Sequence, residues 1–208
     1  MKTYPICLVG LETRRAVVVG GGTVAARKVA ALLEAGAQVT VISPDLAPAL
    51  TALAAEGRIA AIVRPYRDGD LAGAFLAIAA AGDPAVNEAV WREAGRCGCL
   101  VNVVDDPAHS HFIMPAVVRR GEVTIAVSTG GASPALARRL REKLEAEIGP
   151  EYGILAEILA ELRPELVARF DRGDARQAAA LALVDSDLLE TIRSQGADAG
   201  LRRARELL

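Results

Sequence analysis

The sequence predicts an α/β fold, a doubly wound parallel sheet followed by a small α+β segment and a helical C-terminal region. Three observations predict it. Strand and helix patterns alternate through the first half. A glycine-rich loop joins the first strand to the first helix, and a hairpin pattern then gives way to continuous helical periodicity.

Residues 16–19, Ala-Val-Val-Val, are a short apolar run of the kind that forms a buried strand. Gly20, Gly21 and Gly22 end it. An amphipathic helix follows, with Val29, Leu32 and Leu33 on one face and Gly36 at its C-terminal cap. Gly20 permits a tight turn, Gly22 lets the backbone approach a pyrophosphate, and Ala25 lets the helix pack on the strand. The helix start at Thr23 and Val24 offers N–H groups and a partial positive charge to phosphate oxygens. Strand, Gly-x-Gly-x-x-Ala and helix in this order are the fingerprint of a Rossmann-type dinucleotide domain.

The second strand, residues 38–42, ends without the Asp or Glu that usually bonds the adenosine ribose. Ser43 and Pro44 stand there instead. Ser43 can bond a ribose hydroxyl, and the pair also suits the N-cap and first-turn proline of a helix over 44–56. In that helix Leu46, Leu50 and Leu53 are in register, and Gly57 stops it. NAD and NADP are both compatible with this chemistry. Further strands fall at 59–64, 74–80 and 100–104, and Asp83-Pro84 caps and opens a helix to residue 96.

Beyond residue 113 the pattern changes. Residues 116–120 and 123–128 form two strands around a Gly121-Glu122 turn, and Ser133-Pro134 starts a helix to about 148. Residues 151–208 are helical, with breaks expected near Pro164, Gly173 and Gly196. The expected division is a nucleotide domain over 1–113, a middle segment over 114–149 and a helical domain over 150–208.

Composition supports this reading. Apolar residues make up 52% and aromatics only 3%, which suits helices on a parallel sheet. A net charge of −2 and the lack of a basic recognition helix argue against nucleic acid and membrane partners. The first residues, Met1 to Pro5, lack the apolar core of an export signal, and no run is long enough to span a bilayer. A cytoplasmic protein is expected. Cys7, Cys97 and Cys99 give no disulfide framework, and no further ligands accompany the Cys97-Gly98-Cys99 pair, so no metal site is expected.

Ligands of doubly wound sheets bind outside the carboxyl ends of the strands. Asp105 follows the fifth strand on that edge and is a candidate general base, whereas Asp106, before Pro107, suits a turn. His109 and His111 lie close by, suited to proton transfer or to ordinary loop roles. Ser128, Thr129, Gly130 and Gly131 lead into a helix N-terminus that suits an anion. Arg119, Arg120, Arg138, Arg139, Arg141 and Lys143 add positive charge, interleaved with Glu142, Glu145 and Glu147 that favour a salt-bridged face.

The runs Val17 to Gly22, Ala26-Arg27-Lys28, Asn102-Val103-Val104-Asp105, Phe112-Ile113-Met114-Pro115-Ala116, Ser128 to Pro134 and Leu140 to Glu145 occur in the order of one family. Over residues 1 to about 150 the chain resembles the precorrin-2 dehydrogenases of the siroheme-synthase type. The resemblance implies oxidation of precorrin-2 to sirohydrochlorin in tetrapyrrole biosynthesis, with NAD as hydride acceptor. It also implies a homodimer built through the middle segment and Asp105 as the key acidic residue. Gly20, Gly21, Gly22, Thr23, Val24, Ala25, Ser43 and Pro44 are the expected cofactor contacts. The substrate is rich in carboxylates, so Ser128, Thr129, Gly130, Gly131, Arg119, Arg138 and His111 are candidate substrate contacts. Some relatives also insert iron into the product, which leaves a bifunctional enzyme as the alternative. A non-catalytic NAD-binding module is the third reading.

Overall fold

The apolar run after Arg14 becomes the central strand of a five-stranded parallel sheet in the computed structural model, which describes residues 3–208. Met1 and Lys2, part of the stretch considered above as a leader, lie outside the described residues. The elements are β1 (Arg15–Val19), α1 (Thr23–Glu34), β2 (Gln38–Ser43), α2 (Pro48–Ala55), β3 (Ala60–Val63), β4 (Leu76–Ala79), α3 (Pro84–Cys97) and β5 (Leu100–Val103). The strand order is β3-β2-β1-β4-β5, so the winding reverses between β1 and β4. That reversal opens the crevice in which such sheets bind ligands.

Alternation along β1 divides the core. Val18 packs with Val29, Val41, Leu50 and Ile78 beneath α1 and α2. Val17 faces the other way, with Ala77, Val90, Ala94 and Val101 beneath α3. Both faces are covered, which is why these strands are predominantly apolar rather than alternating.

Local signals set most boundaries. The Asp83 carboxylate accepts the Ala85 N–H at 2.9 Å with Pro84 in the first turn of α3. Gly36, with φ +78°, stands one residue beyond the Ala35 cap of α1. One boundary differs from expectation. Ser43 ends β2 rather than capping a helix, and α2 starts at Pro48 behind Ala47. The Ala47 N–H is bound by the Gly21 carbonyl at 2.7 Å, so the segment from Pro44 to Ala47 lies along the glycine loop instead of coiling.

The connection from β3 to β4 is ordered by two acids. Asp70 takes a bidentate pair from Arg64 at 2.6 and 2.7 Å, and that guanidinium holds its carboxyl below the usual range. The buried Glu93 of α3 accepts the Tyr66 hydroxyl and, at 2.9 Å, the Leu71 N–H. Burial and that carboxylate push the Tyr66 phenol up.

A second compact unit spans Pro115–Leu208, after a first of Met1–Met114. It opens with an antiparallel pair, β6 (Ala116–Arg120) and β7 (Val123–Val127), around Gly121 at φ +55°. Five helices follow: α4 (Pro134–Glu147), α5 (Glu151–Arg169), α6 (Gly173–Val184), α7 (Leu188–Gln195) and α8 (Ala197–Leu207). Ser133 caps α4 by accepting the Leu136 N–H at 3.2 Å. The Arg120 guanidinium closes the other end, donating to the carbonyls of Ile148 at 2.8 Å and Glu145 at 2.9 Å.

Pro164 does not break its helix, contrary to expectation. Leu155, Ile158, Leu162 and Leu166 form one buried stripe of α5 that packs with Leu183, Leu188 and Ile192. Pro164 and Ala160 lie on the exposed side, so the carbonyl that proline leaves unpaired is not buried. An unanticipated break at Asp185-Ser186-Asp187 separates α6 from α7. There Ser186 Oγ donates to the Leu183 carbonyl at 2.7 Å and accepts the Leu188 N–H at 3.3 Å.

Replacing Glu93 by Ala leaves the Leu71 N–H buried without its acceptor. The expected loss is about 2 kcal/mol of unfolding free energy. An unchanged denaturation midpoint in urea would show that Glu93 does not anchor the β3–β4 connection.

Candidate functional site

At the carboxyl edge of the sheet the exits of β1, β2, β4 and β5 surround a cleft of about 900 Å³. Its walls are Gly20 to Val24, Ser43 to Ala47, Ala80 to Asp83, and Val104 with Asp105, joined by Pro65 and Tyr66 after β3 and by Val86 and Asn87 of α3. The volume lies in the range of small-molecule and cofactor sites.

The three glycines do different work. A Cβ on Gly20, at φ +125°, would lie 2.3 Å from the Ala80 carbonyl oxygen. One on Gly21 would lie 1.8 Å from the Asp45 carbonyl oxygen. One on Gly22 would meet nothing within 4 Å. The first two glycines let the strand exits close on one another, and the third leaves room for a ligand. Gly22 is also the N-cap of α1 and gives it no side-chain acceptor, so the Thr23 and Val24 N–H groups remain for ligand oxygens. Ala25 is fully buried and packs α1 on the sheet. A dinucleotide pyrophosphate fits these features.

Ser43 is buried at the end of β2, its Oγ 2.7 Å from the position a Gly21 Cβ would take. Pro44 and Asp45 are exposed on the cleft wall. The carboxylate missing from the strand end in the sequence thus stands two residues later. At the β4 exit, Asn87 of α3 brackets Ala81, donating to its carbonyl and accepting its N–H, each at 3.0 Å. Sequence reasoning passed over Asp45 and Asn87, although Asn87 falls one helical turn after the Asp83 cap.

Asp105 is exposed at the β5 exit with φ +60°, the one positive φ outside glycine among the described residues. Its neighbour holds the turn. Asp106 accepts the Ala108 N–H at 3.1 Å and the His109 N–H at 3.3 Å, and its second oxygen lies 2.6 Å from His109 Nδ1. The bond to His109 keeps the Asp106 carboxyl below its ordinary range. Ser110 Oγ donates to the Asp106 carbonyl at 2.8 Å and accepts the Val103 N–H at 2.9 Å. The His109 ring packs edge-on against Trp91 at 4.5 Å. His109 is thereby part of the turn's framework. His111 is exposed and does not line the cleft; its N–H bonds the Val101 carbonyl at 2.8 Å.

Lys28 is a further residue that sequence reasoning did not weigh. It is half-buried on α1, and burial lowers its pKa, assisted by Arg27 and opposed by Asp105.

The remaining candidates belong to the second unit. Gly130 and Gly131 adopt φ +62° and +85° in the loop after β7. Ser128 Oγ accepts the Gly130 N–H at 3.2 Å, while Thr129 Oγ1 accepts the Ser133 N–H at 3.0 Å and donates to its carbonyl at 3.1 Å. Arg138 and Arg139 pair with Glu142, and Arg141 with Glu145, along the exposed side of α4. Arg119 is exposed on β6.

Among the described residues no three His, Cys, Asp or Glu side chains gather to hold a metal ion. Burial pushes the Cys99 thiol up to about 12. Among the described residues no helix is long and apolar enough to cross a membrane.

Residues 7–116 match a family model described as putative NAD(P)-binding. Residues 120–147 match one described as sirohaem biosynthesis protein central. A siroheme synthase of Methylobacillus flagellatus is 46% identical over 177 residues, covering 85% of this chain and 38% of that protein. A siroheme synthase of Nitrosospira multiformis is 42% identical over 213 residues, covering 99% of this chain and 45% of that protein. The chain therefore spans less than half the length of these curated relatives. The solved structure of SirC, precorrin-2 dehydrogenase, matches at a TM-score of 0.79 and 27% identity, covering 98% of this chain and 100% of that one. The first unit is accordingly an NAD(P)-binding domain.

The glycine loop makes a separable test. Gly22→Ala is expected to keep thermal stability within about 1 kcal/mol, since its Cβ meets no protein atom. Its dinucleotide affinity, measured by calorimetric titration, should fall at least about tenfold. Wild-type affinity in this variant would remove Gly22 from the ligand's path.

Proposed function

The chain belongs to the putative NAD(P)-binding family and is related to the siroheme synthases, and from that premise we propose that it oxidises precorrin-2 to sirohydrochlorin with NAD. The observation that carries this reading is the placement of Asp105 on the same cleft as Gly22 and the start of α1. One wall suits a diphosphate, and a carboxylate stands on the opposite strand exit.

The bound nicotinamide supplies the hydride acceptor. Gly22 and the Thr23 and Val24 N–H groups would hold the pyrophosphate, and Ser43 and Pro44 would contact the adenosine half. Loss of a hydride from the reduced macrocycle must be balanced by loss of a proton from a ring carbon or pyrrole nitrogen. Asp105 accepts that proton or orients the ring through its N–H groups. Its exposure leaves it open to a large substrate, and the clamped Asp106 turn fixes its position.

In the second unit Ser128, Thr129, Gly130, Gly131, Arg119 and Arg138 are the proposed receptors for substrate carboxylates, with His111 in the first unit. The working form is a cytoplasmic homodimer assembled through residues 114–149.

The deciding assay is anaerobic, with enzymatically generated precorrin-2 and NAD, followed through the sirohydrochlorin spectrum. Asp105→Asn is the appropriate variant, because Asn tolerates the left-handed backbone of this position. Its turnover should fall by about a hundredfold or more while NAD affinity is retained. Full turnover in the variant would exclude Asp105 as the base. No sirohydrochlorin from wild-type protein that binds NAD would overturn the dehydrogenase reading in favour of a binding module. Ferrous iron added to the product then tests chelation at the same site.

A further inference from the structure

We infer that Asp45 makes this site select NAD over NADP, an inference that rests on the dinucleotide reading above. In doubly wound folds the adenosine ribose lies between the glycine loop and the end of the second strand, where an acid bonds the 2′-hydroxyl or a cation receives a 2′-phosphate. The residue at the end of β2 is Ser43, but Ser43 is buried and its hydroxyl is turned against Gly21. Asp45 is the next residue on that wall able to meet a ribose. It is exposed, and it lines the cleft.

The position of Asp45 is fixed by backbone contacts. Its carbonyl oxygen occupies the space a Gly21 Cβ would need, and the Ala47 N–H is held by the Gly21 carbonyl at 2.7 Å. Pro44 restricts the preceding backbone. The segment therefore travels with the glycine loop, and Asp45 cannot swing away without breaking that contact.

The charges around it point the same way. Among the described residues no Arg or Lys lines the cleft, whereas Asp45, Asp83 and Asp105 do. Arg64, at the exit of β3 beside β2, has both of its terminal nitrogens engaged by Asp70. A 2′-phosphate at this wall would meet a carboxylate and no cation. Discrimination by a repulsive element of this kind costs the competitor more than it gains the preferred ligand.

The test is calorimetric titration of NAD and NADP into the full chain as wild type, Asp45→Ala and Asp45→Arg. Wild type should bind NAD at least about tenfold more tightly than NADP. In Asp45→Ala the ratio should fall towards one, mostly through tighter NADP binding, and Asp45→Arg should favour NADP. Thermal melts verify that these exposed-site variants are folded. Equal affinities in wild type, an unchanged ratio in Asp45→Ala, or equal weakening of both cofactors would each overturn the role of Asp45 and leave the dehydrogenase reading standing. Binding of neither dinucleotide by wild type would overturn both.

Discussion

The site depends on one steric constraint: three strand exits converge on a loop whose first two positions, Gly20 and Gly21, have no room for side chains. Gly20 sits against the Ala80 carbonyl and Gly21 against that of Asp45, at distances no Cβ could occupy. The Gly20 N–H reaches the Ile42 carbonyl at 2.9 Å, and the Ala80 N–H reaches that of Val19 at 2.8 Å. These contacts extend the sheet's pairing one step past the strands. They bring the β2 and β4 exits to the same loop that opens α1. The ligand-facing residues at the β1, β2 and β4 exits consequently inherit their positions from these contacts.

Periodic and capping features were legible because they are local. The apolar run of β1, the Asp83-Pro84 and Ser133-Pro134 starts and the Gly121 turn all express backbone chemistry within a few residues. Ser43-Pro44 carries a similar cap-and-proline signal, yet a contact from the distant Gly21 carbonyl delays the helix to Pro48. Pro164 misled for a related reason, since the stripe from Leu155 to Leu166 holds α5 together across it. Glu93 and Asn87 had no motif at all, and Lys28 entered only as one member of the Ala26-Arg27-Lys28 run. Their importance comes from what the fold sets opposite them, which no single-chain pattern records.

Adjacent carboxylates at the β5 exit show how environment divides identical chemistry. Asp106 is consumed by two backbone N–H groups and His109, whose ring is braced by Trp91. Its carboxyl is held ionised further into acid, so the clamp survives down to lower pH than an ordinary aspartate would permit and loosens only as Asp106 is protonated. Asp105 takes the strained left-handed backbone and stays exposed. Strain of that kind persists only where the surroundings overdetermine it, and the hydrogen bonds of Asp106 and Ser110 provide that support.

The cleft's electrostatics follow from the same construction. Among the described residues its lining offers carboxylates but no cationic side chain, which leaves neutral donors to hold a diphosphate. Gly22 leaves the first turn of α1 uncapped by any side chain, and the helix adds its positive end there. On the same helix, burial and Arg27 lower the pKa of Lys28, and the Asp105 carboxylate opposes them. Backbone N–H groups fixed by the fold recognise a phosphate at one depth only, whereas long basic side chains would follow it anywhere in the cleft. An acidic rim above a floor of oriented N–H groups therefore sorts anions by where their charge sits, which is the property a site for one particular dinucleotide requires.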